Sequence, residues 1–146
     1  MSRLRVFLDT NVLAAYFLGK PEARRLFDSD VTKRVQYIIT PLVLQELLLI
    51  SDELRKKENF KEMSRLLSKY LTIEQLDEDS VKASVERIRR LRNRFVHAND
   101  LLNIQAAATT AKYFLTQDRD MLRLKEVDSV EVISPQQFFN LVKQAA

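Results

Sequence analysis

Asp9, Glu46, Asp100 and Asp118, with Asp120 close behind the last, stand where a charge is awkward. Asp9 ends the apolar run Leu4-Arg5-Val6-Phe7-Leu8, and Asp118 closes Tyr113-Phe114-Leu115-Thr116-Gln117. Glu46 and Asp100 lie on what read as the apolar faces of two helices. A buried carboxylate without a partner is expensive, and several close together repel one another. Four that converge make sense around a divalent cation, which points to a metal-dependent enzyme. Other chemistries are poorly supplied. Cysteine is absent, which excludes disulfides and thiolate metal sites. His97 is the single histidine, too few for a histidine-based metal site, and it reads as a loop or helix-start residue. No nucleophilic Asp-x-Asp follows the first apolar run, which ranks phosphomonoester chemistry low.

The elements that carry these acids follow from the pattern of apolar, capping and breaking residues. Residues 4–9 read as a buried strand, 12–18 as a helix that follows N-cap residues in Asp9-Thr10-Asn11 and stops at Gly19, and 21–29 as a short helix with Pro21 in its first turn. A strand is expected over 36–40, a long helix over 41–57 and another over 59–70. A short strand or extended connection follows at 71–76, then helix at 78–94. Asn99 is expected to cap a helix reaching 111, ahead of a strand at 113–116 and a helical turn at 119–124. A strand at 130–133 and a helix from Pro135 complete the chain. Strands alternating with helices predict an α/β fold with a central parallel sheet covered on both faces, rich in helix, with a helical insertion over 58–95.

Placed on those elements, Glu46 shares a helix face with Leu42, Val43, Leu49 and Ile50. Asp100 shares one with Ile104, Ala107 and Ala111, and the alanines there allow close approach to a sheet. Asp9 and Asp118 sit at the carboxyl ends of strands, where open α/β sheets place their ligand crevice. Taken singly, Asp9 and Asp118 also serve as N-caps, and Asp100 and Asp120 as first-turn acids favoured by the helix dipole. For Asp120 that is the leading role, with metal ligation second. Glu46 is too deep in its helix to cap it, which leaves a buried ion pair as its alternative.

The 146 residues, 46% hydrophobic, suit one domain with a real core. No apolar run approaches the roughly 20 residues of a membrane span, and no signal-peptide pattern opens the chain. With the missing cysteine, this reads as a cytoplasmic protein. A single glycine predicts few left-handed turns. The net charge is +4, so an acidic centre leaves the remaining surface more basic still, as suits a polyanion held by its phosphates.

Four segments carry a resemblance. Val6-Phe7-Leu8-Asp9-Thr10-Asn11-Val12-Leu13 resembles the opening strand of PIN-domain proteins, and Thr40-Pro41-Leu42-Val43-Leu44-Gln45-Glu46-Leu47 is similar to the segment bearing the family's second acid. Asp100-Leu101-Leu102-Asn103-Ile104-Gln105-Ala106-Ala107 resembles the third, and Leu115-Thr116-Gln117-Asp118-Arg119-Asp120 the fourth. The four occur in order over nearly the whole chain, implying a single PIN-like, three-layer α/β/α domain over 1–146. By length the chain looks closest to VapC-like toxins of toxin–antitoxin pairs. It departs at Met121, where an aromatic residue is common, and in lacking a glycine over Leu124–Glu131. Both touch packing and loop shape.

The resemblance implies an endoribonuclease dependent on Mg2+ or Mn2+. Asp9, Asp100 and Asp118 would contact metal directly, Glu46 directly or through water, with Asp120 as a further ligand. Thr10, Asn11 and Thr116 carry polar groups placed to orient ligands or phosphate, or else to bond locally within turns. Arg87, Arg90 and Arg94 fall near one helix face, which either meets the RNA backbone or is simply solvated. The implied partners are RNA, a cognate antitoxin whose tail fills the acidic groove, and a second copy of the chain. Two other readings stay open: a stand-alone RNA-processing nuclease with the same site, and a non-catalytic binding domain whose acids are caps and ion pairs.

Overall fold

The computed structural model describes residues 2–50, 52, 56–91 and 98–144, with the backbone alone at positions 50, 84, 87–89, 91, 98, 99 and 101. Arg94, Phe95 and His97 therefore lie outside the described residues, as does the side chain of Arg87.

β1 (Leu4–Leu8), β2 (Val35–Ile39), β3 (Leu71–Ile73), β4 (Tyr113–Leu115), β5 (Glu126–Val127) and β6 (Val130–Ile133) form one sheet in the order β3-β2-β1-β4-β6-β5. All neighbours run parallel except the β5–β6 hairpin. β1 is the centre, and the chain leaves it for β2 on one side and later returns to β4 on the other. The sheet's switch point thus falls at the carboxyl end of β1.

Helices cover both faces. α1 (Thr10–Phe17), α2 (Pro21–Arg25) and α9 (Pro135–Gln144) meet one of them. There Tyr37 of β2 stacks between Phe27 and Phe138, with ring centroids 5.1 and 6.1 Å away, and donates its hydroxyl to the Leu26 carbonyl. On the opposite face Phe7 stacks on Phe114 at 5.2 Å. Side chains alternate along a strand, so Arg5, Phe7 and Asp9 share that second face. α7 (Ala98–Thr110) lies across it, packing on β1, β2, β4 and β6 and taking the Arg5 Nε–H on its Thr110 carbonyl. Ile104, Ala106 and Ala107 are buried beneath α7, and the two alanines let its backbone come close to the strands.

The alternation of strands and helices is as the sequence predicts, and the departures have local causes. α1 is stopped by Gly19, whose φ of +78° favours glycine; the Lys20 and Gly19 amides donate back to the Ala15 and Tyr16 carbonyls and close the helix end. The segment expected as one helix over 21–29 splits into α2 and α3 (Ser29–Thr32), because Leu26 and Phe27 turn into the core and Asp28 is extended. α4 (Pro41–Ile50) is followed by α5 (Lys57–Lys69), then β3 and α6 (Glu78–Leu91). The stretch over 58–95 is therefore not purely helical, since β3 forms an edge of the sheet. α7 is described from Ala98, which sets Asn99 within its first turn; the Asn99 side chain, expected as its cap, lies outside the described residues.

The hairpin of β5 and β6 is absent from the sequence reading. Glu126 pairs with Glu131 and Val127 with Val130, leaving a two-residue turn of Asp128 and Ser129 at φ +47° and +71°. Such a turn matches the twist of the strands but favours glycine, which this chain does not supply. Lys125 is also left-handed, at φ +58°. As the single glycine predicts, few described residues are left-handed, but three that are not glycine adopt that conformation within five positions here.

Candidate active site

The site is assembled at the carboxyl ends of β1, β2 and β4. Register sets Leu8 beside Leu115 and Phe7 beside Ile38, so Asp9, Thr116 and Thr40 each stand one step past a strand end, at one level of the sheet. All three are buried. The Asp9 amide donates to the Leu115 carbonyl at 3.0 Å, which fixes the backbone before any side chain is considered.

Asp9 is the hub. Its Oδ1 accepts from the Thr10 amide at 2.9 Å; its Oδ2 accepts from the Thr116 hydroxyl at 2.8 Å and from Asn11 Nδ2 at 3.3 Å. Asn11 Nδ2 also donates to Thr116 Oγ1 at 3.1 Å, while its Oδ1 accepts from the Gln117 amide at 3.0 Å. Thr116 Oγ1 accepts in turn from the Asp118 amide at 3.0 Å. Thr10, Asn11 and Thr116 are thus one network that ties the start of α1 to the loop after β4. Both readings given by the sequence, orientation of a ligand and local turn bonding, are built from the same hydrogen bonds.

The other acids join this hub in different ways. Glu46, half-buried on α4, accepts from the Thr10 hydroxyl through Oε2 at 3.2 Å, while its buried Oε1 has no protein donor. Of the face shared with Glu46, Val43 is buried, but Leu49 is exposed. Asp100 lies in the first turn of α7, and its charge acts on Asp9. Asp118 caps α8 (Arg119–Leu122) by accepting the Asp120 amide at 2.8 Å. Asp120 turns its Oδ1 to Arg123 Nη1 at 3.2 Å. Among the described residues no three Asp, Glu, His or Cys side chains form a ready metal-holding group. The side chains bring Asp9, Glu46 and Asp100 into one electrostatic field, with Asp118 attached through Thr116 and Asp120 directed elsewhere.

That field leaves a mark on Asp9. Burial pushes its pKa up from the ordinary 3.8 to about 7, against the hydrogen bonds from Thr116 and the Thr10 amide. The negative charges of Asp100 and Glu46 push it further in the same direction. An acid held so poorly as an anion, next to an orphaned carboxylate oxygen, is a donor set short of positive charge. A hard divalent cation fits that shortage.

Two buried polar residues that sequence patterns do not single out adjoin the site. Thr40 donates its hydroxyl to Asn103 Oδ1 at 2.6 Å, and both are fully buried. Of the expected basic face of Arg87, Arg90 and Arg94, only the side chain of Arg90 lies within the described residues. Arg90 is exposed and lies 3.7 Å from Asp128, an ion pair of small worth in water.

The comparisons with known proteins bear on this arrangement. The PIN-domain family model matches residues 6–127. A comparison with curated protein sequences returned no match. Among solved structures, VapBC2 from Rickettsia felis, bound to a DNA fragment from its promoter, has a TM-score of 0.70 at 20% identity, covering 90% of this chain and 98% of that one. A toxin–antitoxin complex from Klebsiella pneumoniae gives 0.67 at 18%, covering 89% and 97%. VapC20 from Mycobacterium tuberculosis, a toxin that cleaves the sarcin-ricin loop, gives 0.66 at 19%, covering 84% and 97%. At such identities the likeness is one of fold. The match of the family model from the opening strand to the β5 strand, together with the acids at the strand ends of that fold, establishes that the chain belongs to the PIN-domain family.

Proposed function

We propose that this PIN domain is an endoribonuclease dependent on Mg2+ or Mn2+, acting as the toxin of a toxin–antitoxin pair. One observation carries the reading. Asp9 is only 4% exposed, burial and then the charges of two further acids raise its pKa to about 7, and among the described residues no cation is paired with it. A purely structural acid at that position would be matched by an arginine or lysine, or replaced.

Asp9, Asp100 and Asp118 would hold the ion directly and Glu46 directly or through water, with Asp120 available once released from Arg123. A divalent ion so held supplies the Lewis acidity that phosphodiester hydrolysis needs. The protein's own groups do the positioning. Thr116 and Asn11 fix the Asp9 Oδ2, the Thr10 amide fixes Oδ1, and the Thr10 hydroxyl orients Glu46. RNA is supported by the solved toxin that cleaves the sarcin-ricin loop, and an antitoxin partner by the toxin–antitoxin complexes of the same fold. A homodimer, RNA contacts from Arg87, Arg90 and Arg94, and a cytoplasmic setting belong to this reading; among the described residues no helix is long and apolar enough to cross a membrane.

The test is to map cut sites in total cellular RNA after inducing the wild type and Asp9→Asn. New 5′ ends that appear only with the wild type support the reading. Identical end profiles from both, or undiminished cleavage by purified protein in EDTA, would sink it.

A further inference from the structure

We propose that Thr40 and Asn103 form a positioning pair that sets how α4 presents Glu46 and α7 presents Asp100. The proposal rests on the nuclease reading above. Asp9 and Asp118 follow strands, so the sheet holds them. Glu46 and Asp100 have only their helices, and something must fix the two helices against each other.

Thr40 precedes α4 and lies six residues before Glu46; its carbonyl accepts the Val43 amide at the helix start. Asn103 follows Asp100 by three residues, nearly one turn on the same face of α7. The 2.6 Å bond from the Thr40 hydroxyl to Asn103 Oδ1 therefore ties the root of one acid-bearing helix to the first turns of the other. It does so at the level of Asp9, on the sheet face that α7 covers.

Stability alone does not account for this pair. Asn103 is wholly buried beside Ile104 and Ala107, and its Nδ2 has no partner among the described residues. Turning the amide over would only exchange which of its two polar atoms lacks one. A buried amide with an unmet group is worse than an apolar side chain of the same shape, and replacing both partners by apolar groups is often neutral or stabilising. What a directional bond supplies that packing does not is a defined rotation and spacing of the two helices. Groups behind the ligands act in this way, and their loss weakens metal affinity about 10- to 100-fold.

The test compares the wild type, Thr40→Ser, Thr40→Val and the double variant Thr40→Val/Asn103→Leu. Melting is followed by circular dichroism, Mn2+ binding by calorimetry, and RNA cleavage by kcat and KM. The double variant is expected to melt at or above the wild type, to bind Mn2+ about 10-fold or more weakly, and to lose kcat while KM for RNA holds. Thr40→Ser, which keeps the hydroxyl, should behave as the wild type. If the double variant fails to fold, Thr40→Val against Thr40→Ser decides by the same readouts. Wild-type Mn2+ affinity and kcat without the Thr40 hydroxyl would overturn the proposal while leaving the nuclease reading intact. A wild type that neither binds Mn2+ nor cleaves RNA would overturn both.

Discussion

The Thr116 hydroxyl donates to Asp9 Oδ2 across 2.8 Å, joining the ends of two adjacent parallel strands that are 107 residues apart in sequence. The same oxygen accepts from Asn11 Nδ2 and from the Asp118 amide. One hydroxyl thus serves as donor and twice as acceptor, and it links two of the acids that the sequence places at strand ends.

Thr116→Val keeps the shape and removes all three bonds. Leaving the Asp118 amide without its acceptor, and Asn11 Nδ2 with Asp9 Oδ2 alone, should lower stability by about 1–3 kcal/mol. It should also reduce kcat, because Asp9 is freed to rotate. Thr116→Ser should restore both. Urea unfolding and cleavage kinetics on the two variants check this, and equal losses in Val and Ser would point to the methyl group instead.

Asp9 predicts a specific pH dependence in the metal-free protein. Its folded pKa, about 7, is above the ordinary 3.8, so the folded state binds the proton more tightly than the unfolded state. Stability from this group is present below the ordinary value, falls as pH rises from about 4 to 7, and is then flat. Asp9→Asn has no such slope. In EDTA, the variant should therefore gain on the wild type by a few kcal/mol between pH 4.5 and 8, as measured by chemical denaturation. Parallel curves would contradict the buried, repelled carboxylate.

Glu62 acts in the opposite direction. It accepts from the Tyr16 hydroxyl at 2.7 Å and from Arg65 Nη2 at 2.6 Å, anchoring α5 to α1. The Arg65 bond first, then Tyr16 and the nearby arginine charges, holds its pKa below the ordinary 4.5 despite some burial. Its contribution is present above that value and disappears as pH falls through the folded pKa. Glu62→Ala should cost about 1 kcal/mol at pH 7, since the pair is partly exposed, and the difference should shrink as pH falls below the ordinary carboxylate range.

The turn at Asp128-Ser129 offers a stabilising substitution. Ser129 holds φ +71°, a region that costs an L-residue about 1–2 kcal/mol. Ser129→Gly removes that cost while adding freedom to the unfolded chain, so a net gain of about 0.5–1 kcal/mol is expected. Cleavage should be unchanged, because the hairpin contributes no acid to the site. A melting temperature below wild type would show that the serine side chain matters to the turn.

What was legible in the sequence follows from how local each signal is. Asp9 and Asp118 could be placed because an apolar run ended by an acid marks both a strand and its exit. Glu46 and Asp100 could be placed because helical spacing sets them among apolar neighbours. The β5 strand could not: it is two residues long, and its turn lacks the glycine that announces such hairpins. The Thr40–Asn103 bond spans 63 positions, and no spacing rule links a residue before one helix to the second turn of another. The split at Leu26 and Phe27 was hidden for a related reason, since the Phe27 ring and the Leu26 carbonyl both meet Tyr37, a partner supplied by the sheet.

The central claim is that Asp9, Glu46, Asp100 and Asp118 act together as one divalent-cation site. Calorimetric titration of Mn2+ into the wild type, Asp9→Asn and Asp100→Asn tests it most directly. The account predicts saturable binding by the wild type and at least a 10-fold loss in each variant, with folding retained by circular dichroism. Absence of binding to the wild type, or undiminished binding in both variants, would contradict it.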